Sequence, residues 1–212
     1  MPHTTPAPTA DAVALEWHRR AARPGLTRVM RASQPTELAG TTTERTRAIL
    51  TGHLRAIGPR TALEIGCGMG RLTPTIAAHA RDVLAVDMTA RMLDLARAEC
   101  AGLPHVRFAH AAVQELPVPE EPFDVAVCVW VLMHVLGEDD LSEACRRIAA
   151  SARHLVLVEY EHADIPVGEY SRLRDLNAYL ELLPGARLVE RRDVFYGGDR
   201  SFAALIALEG HR

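Results

Sequence analysis

Eight residues constrain this chain most: Glu64-Ile65-Gly66-Cys67-Gly68-Met69-Gly70-Arg71. The glycines alternate. They follow the apolar run Thr61-Ala62-Leu63-Glu64-Ile65 and precede a segment with helical spacing. A strand that enters a helix through a glycine-rich turn opens a βα unit, and its backbone can approach a ligand closely. A dinucleotide fingerprint needs a third glycine at position 71, where Arg71 stands. The GxGxG spacing suits a ligand without a pyrophosphate.

The pattern beyond Thr61 alternates strand and helix. Strands are predicted at 61–65, 83–87, 105–109, 124–131 and 154–159, the fourth apolar almost throughout, as a central parallel strand should be. Helices are predicted at about 72–80, 89–100 and 138–152. Another is predicted from the face of Tyr170, Leu173, Leu176, Leu180 and Leu183. Two last strands, near 187–194 and 202–208, flank the hairpin signal Tyr196-Gly197-Gly198-Asp199. Together these predict an open, mostly parallel α/β sheet with one antiparallel member. Ahead of it, residues 1–10 read as a loose tail, 12–23 as a short helix and 41–57 as a helix with a Thr41/Glu44 capping box. The organisation expected is an N-terminal tail and helical lid over 1–40 and a core over 41–212.

Composition removes several classes. A chain of 212 residues with 48% hydrophobic residues is long enough for one packed domain. Its formal charge of -3 disfavours a nucleic-acid partner. All 24 basic residues are Arg, so a Schiff-base or phosphate-loop lysine is excluded. The four cysteines form no CxxC pair and read as reduced thiols. The longest apolar stretch is too short to span a bilayer, and the N-terminus lacks a secretory pattern, so a cytoplasmic protein with no membrane partner is expected. The histidines lack metal-ligand spacing, and no metal is expected.

Asp87, ending the second strand, is placed to accept hydrogen bonds from ribose hydroxyls, the alternative being a helix cap. With this residue the segments ALEIGCGMGRLT, VLAVDMTARML and FDVAVCVWVLMHV resemble motifs of the class I S-adenosylmethionine-dependent methyltransferases, over about residues 41–208. The resemblance implies a Rossmann-like sheet of seven strands, mostly parallel with an antiparallel last strand, and helices on both faces. It implies S-adenosyl-L-methionine as cofactor. Gly66, Cys67, Gly68 and Gly70 would line its methionine and ribose. Glu64 would hold the loop or face the amino group, Asp87 would bind the ribose, and Met88 would pack on adenine. Val129 would line the site at the end of strand four. The family's acidic residue after strand three is replaced by Ala112, which leaves adenine to apolar packing and backbone at Ala112 and Val113, with Gln114 or Glu115 as substitutes.

His134, just past strand four, is the candidate general base; it can equally hold its loop by a hydrogen bond. Trp17, His18, Glu159 and Tyr160 are the candidate acceptor-binding residues. Trp130 reads as core. The activity implied is methyl transfer to O, N or C of a small molecule, including a secondary metabolite. A non-catalytic cofactor-binding or scaffold protein on the same fold is the alternative. The pocket is expected to be open and completed by residues 1–40 or by a second subunit of a homodimer.

Overall fold

The computed structural model describes residues 8–30, 36–163, 167–196 and 198–209. Part of the expected tail, Arg31 and Gly197 lie outside them. Seven strands form one sheet: β1 Thr61–Ile65, β2 Asp82–Asp87, β3 Val106–His110, β4 Val125–Val129, β5 His154–His162, β6 Ala186–Tyr196 and β7 Asp199–Leu208. Their order is β3-β2-β1-β4-β5-β7-β6. The first five strands pair in parallel, and β7 runs antiparallel to both β5 and β6.

Alternation along each strand decides which layer it feeds. On one face Ala62, Val83, Val125, Val127 and Val156 pack against Leu50, Leu54, Leu72 and Ile76. These last belong to α2 (Thr36–Ile57) and to the start of α3 (Thr73–Ala77). Ala85 on the same face meets Leu93 and Ala96 of α4 (Ala90–Glu99). The other face buries Leu63, Ala126, Cys128, Leu155 and Leu157 against α5 (Glu138–Ser151) and α6 (Leu176–Leu182), with Leu141, Cys145, Ile148 and Tyr179. The sheet is thus covered on both sides, which lets β4 and the middle of β5 be apolar at nearly every position. All four cysteines are buried free thiols.

Three elements depart from the sequence reading. The helix expected from Thr41 starts at Thr36, so a boundary between residues 40 and 41 falls inside α2. The Thr43 and Thr46 hydroxyls donate to the carbonyls of Ala39 and Thr42, each at 2.8 Å, so these two threonines are satisfied inside a helix and do not cap one. α6 begins only at Leu176, where the Asp175 carboxylate accepts the Ala178 N–H at 2.9 Å. β4 ends at Val129 because Trp130 turns into the left-handed region, with φ of 55°. Before the sheet, α1 (Ala10–Arg20) starts on a Thr9 cap and packs toward α4.

Candidate active site

A cavity of about 270 Å³ lies at the carboxyl edge of the sheet, lined from the ends of β1, β2 and β4. β1 pairs with β2 on one side and β4 on the other, so this edge is where the chain's winding reverses, the usual place for a ligand in an open α/β sheet.

The cavity's glycine-rich wall is built by local necessity. Gly66, Gly68 and Gly70 have φ of 68°, 54° and 83°. Side chains rarely adopt such values. A Cβ on Gly66 would overlap Val131, and one on Gly70 would sit 3.1 Å from the Ala96 Cα of α4. The Cys67 N–H donates to the Val86 carbonyl at 2.9 Å and ties the loop to β2. Below it Thr73 donates to Glu64 at 2.6 Å, which fixes the start of α3. Burial raises the Glu64 carboxyl to about 7.

Asp87 closes the turn from the β2 side. Its Oδ2 accepts the Gly68 N–H and its Oδ1 the Thr89 N–H, both at 2.8 Å. Each carboxylate oxygen retains a second lone pair. Burial raises its pKa, opposed by those two N–H groups. Thr89 itself makes no side-chain cap, so Asp87 holds the start of α4 and lines the cavity at once. Met88, Ala111, Val113 and Gln114 continue the lining.

At the end of β4, Glu159 acts from beneath. It is fully buried, and its Oε1 accepts the N–H groups of Val131 and Leu132 at 2.9 and 2.7 Å. Burial raises this carboxyl to about 8, and Oε2 has no partner. The turn so held presents His134 to the cavity. Tyr170 offers a carbonyl oxygen 2.7 Å from His134 Nδ1, and a carbonyl only accepts, so Nδ1 carries the proton and Nε2 the lone pair. Burial lowers the imidazole to about 4, with Arg20 adding repulsion. Trp17 of α1 stands edge-on to this ring, and Arg20 lies over Trp17 at 4.3 Å. Pro8, Thr9, Ala10 and Val13 complete the cover, so the same chain's N-terminal segment roofs the cavity.

The candidate residues therefore fall into two sets. Glu64, Gly66, Cys67, Gly68, Asp87, Met88, Val113, Val129, His134 and Trp17 line one cavity. Gly70 stands behind the loop against α4, Ala112 precedes the 3-10 turn Val113–Glu115, and His18 points elsewhere on α1. Tyr160 packs in a buried cluster with Trp130 and Tyr196, and Glu159 supports the turn. Sequence reasoning missed Arg71 and took Trp130 for core alone. Both line the cavity. An arginine where a dinucleotide site has glycine was the available signal.

These features define an open α/β protein with a crevice where its strand order reverses. Residues 62–154 match the family described as Methyltransferase domain. That segment is less than half of the chain, and over it the chain is similar to the class I S-adenosylmethionine-dependent methyltransferases. It is 30% identical over 99 residues to a ubiquinone biosynthesis O-methyltransferase of Alkalilimnicola ehrlichii, spanning 46% of this chain and 40% of that one. It is 30% identical over 112 residues to a demethylmenaquinone methyltransferase of Tropheryma whipplei, spanning 52% of this chain and 46% of that one. The match thus spans less than half the length of these curated relatives. In fold it is similar to the N-methyltransferase NodS of Bradyrhizobium japonicum in complex with S-adenosyl-L-homocysteine, with a TM-score of 0.71 and 19% identity over 93% of this chain and 99% of that one.

Proposed function

We propose that the chain transfers the methyl group of S-adenosylmethionine to a small-molecule acceptor. One observation carries the reading: the Asp87 carboxylate lies under the Gly66–Gly70 loop, and His134 opens on the same apolar cavity. The residues fit the cofactor. Asp87 offers lone pairs to the ribose hydroxyls, and Gly66 leaves room that any Cβ would close. Met88 and Val113 supply apolar walls for adenine, and Gln114 supplies a carbonyl where the family's acidic residue is missing. Glu64, poised to ionise near neutrality, would face the ammonium group of the cofactor's zwitterionic amino-acid end.

The cofactor supplies a sulfonium methyl that is already a strong electrophile. The protein's task is to align the acceptor with it and to exclude water. Trp17, Val13 and Val129 do the excluding. His134 Nε2 takes the acceptor's proton, because Nδ1 is committed to Tyr170 and the ring is neutral across the physiological range. Relatives named for ubiquinone and menaquinone biosynthesis favour a hydroxylated ring as acceptor.

The test is transfer of labelled methyl from S-adenosylmethionine to a panel of phenols and amines. Label in a product, lost in His134→Ala, supports the reading. Tight binding of S-adenosylhomocysteine with no label in any acceptor favours a non-catalytic cofactor-binding role, and no binding favours the scaffold role that Ala112 keeps open.

A further inference from the structure

Among the described residues Arg71 is a buried cation with no direct ion pair. It is 8% exposed, and among the described residues no carboxylate lies within ion-pair distance of it. Its side-chain hydrogen bond among the described residues is long, from NH1 to Thr43 Oγ1 at 3.4 Å. A buried guanidinium keeps its charge, and leaving it unpaired is costly. Glu64 of β1 is the nearest negative group, Tyr160 and Tyr196 also face it, and Arg47 of α2 repels it. Arg71 lies over Trp130 at 4.9 Å, and Tyr160 is stacked on Trp130 at 5.3 Å. This stack fixes the guanidinium at the cavity wall.

We infer that Arg71 is a carboxylate-recognising subsite, built to receive an anionic group of the methyl acceptor. Three observations point there. Among the described residues Arg71 is the only arginine lining the cavity, and with His134 neutral its single positive charge matches one carboxylate, which a guanidinium fork meets through two hydrogen bonds. It stacks over Trp130, just past β4, and feels Glu64 of β1, Tyr196 of β6 and Tyr160 of β5, whereas Asp87 ends β2 on the other side of β1. A group held by Arg71 therefore lies on the side away from the ribose. The unmet charge also selects against neutral acceptors, because they leave it unpaired. The substrate class this adds to the methyl-transfer reading, on which it rests, is a small acceptor bearing a carboxylate.

The test uses the purified chain saturated with S-adenosylhomocysteine, titrated with benzoate and with its neutral isostere benzamide. The wild type is expected to bind benzoate at least about tenfold more tightly, roughly one guanidinium–carboxylate pair. Arg71→Met is expected to bring the two within about twofold while leaving S-adenosylhomocysteine affinity within about threefold. Arg71→Lys, which keeps charge and loses the fork, is expected to lose most of the preference and serves if the methionine variant does not fold. Equal binding of the two probes by the wild type overturns the inference. So does an Arg71→Met variant that loses S-adenosylhomocysteine but keeps 5′-methylthioadenosine, which lacks the carboxylate; Arg71 then holds the cofactor. If the wild type binds no S-adenosylhomocysteine, the methyl-transfer reading fails separately, and the benzoate preference of the free protein still decides the subsite.

Discussion

Trp17 meets His134 edge-on, with ring centroids 4.8 Å apart and planes at 79°. One residue belongs to the N-terminal helix and the other to the turn after β4, so this contact joins the roof of the cavity to its floor. Nearly perpendicular rings at such separation attract through the quadrupole of the indole. The roof and the base candidate are therefore one unit: His134 is dry because Trp17 covers it.

Removing that cover has a direct consequence. Trp17→Ala is expected to weaken S-adenosylhomocysteine binding about tenfold, close to 1.4 kcal/mol. The melting temperature should hardly change, since α1 adds only Val13 to the fully buried set. Calorimetry with a thermal melt checks both. Unchanged affinity would show that α1 does not close on the ligand.

His134 should titrate late. Its folded pKa is about 4 against an ordinary 6.5, so between these values the unfolded chain binds the extra proton. The imidazole then contributes stability above pH 6.5 that is lost as pH falls through 4. Ring-proton NMR is expected to show His134 unchanged from pH 8 down to about 5. A midpoint near 6.5 contradicts the buried, neutral base.

Glu159 predicts the opposite slope. Its carboxyl, ordinarily near 4.5, keeps its proton to about 8 because it is buried. The folded state binds the extra proton in that window, so this stability is complete below 4.5 and is lost as pH rises through 8. Glu159→Gln keeps an acceptor for Val131 and Leu132 and removes the charge. Melting curves from pH 6 to 9 should therefore show the variant losing less stability than the wild type. Parallel curves would place the ionised carboxylate in the folded protein already at pH 6.

Gly70→Ala tests the loop. The position has φ of 83° and faces Ala96 of α4. Left-handed strain and the forced shift of α4 together predict a loss of about 2–3 kcal/mol, seen as a lower denaturant midpoint. A neutral substitution would mean that the loop relaxes freely.

The strands were legible because each central one is apolar and bounded by glycine, proline or charge. Thr61–Ile65 and its partners lie where alternation predicts them, within a few residues. Gly66, Gly68 and Asp87 were legible as well, since the glycines follow one apolar strand and the aspartate ends the next. What stayed hidden depends on tertiary placement. Arg71 follows the glycines and reads as an ordinary first-turn residue until Trp130 is seen beneath it. Glu159 reads as the end of a strand beside the site, yet β5 runs on to His162 and the Glu159 carboxylate turns inward to hold the Val131 turn. Thr41 signals a cap only if a helix starts there, and α2 already runs through it, with the Thr43 hydroxyl returned to the Ala39 carbonyl.

The central claim is that this cavity binds the nucleoside end of S-adenosylmethionine through Asp87. The most direct measurement is calorimetric titration of the wild type and Asp87→Ala with S-adenosylmethionine and S-adenosylhomocysteine. The account predicts micromolar binding of both by the wild type, about 8 kcal/mol, and a loss greater than about tenfold in the variant. Absence of binding to the wild type, or equal affinity in Asp87→Ala, contradicts it.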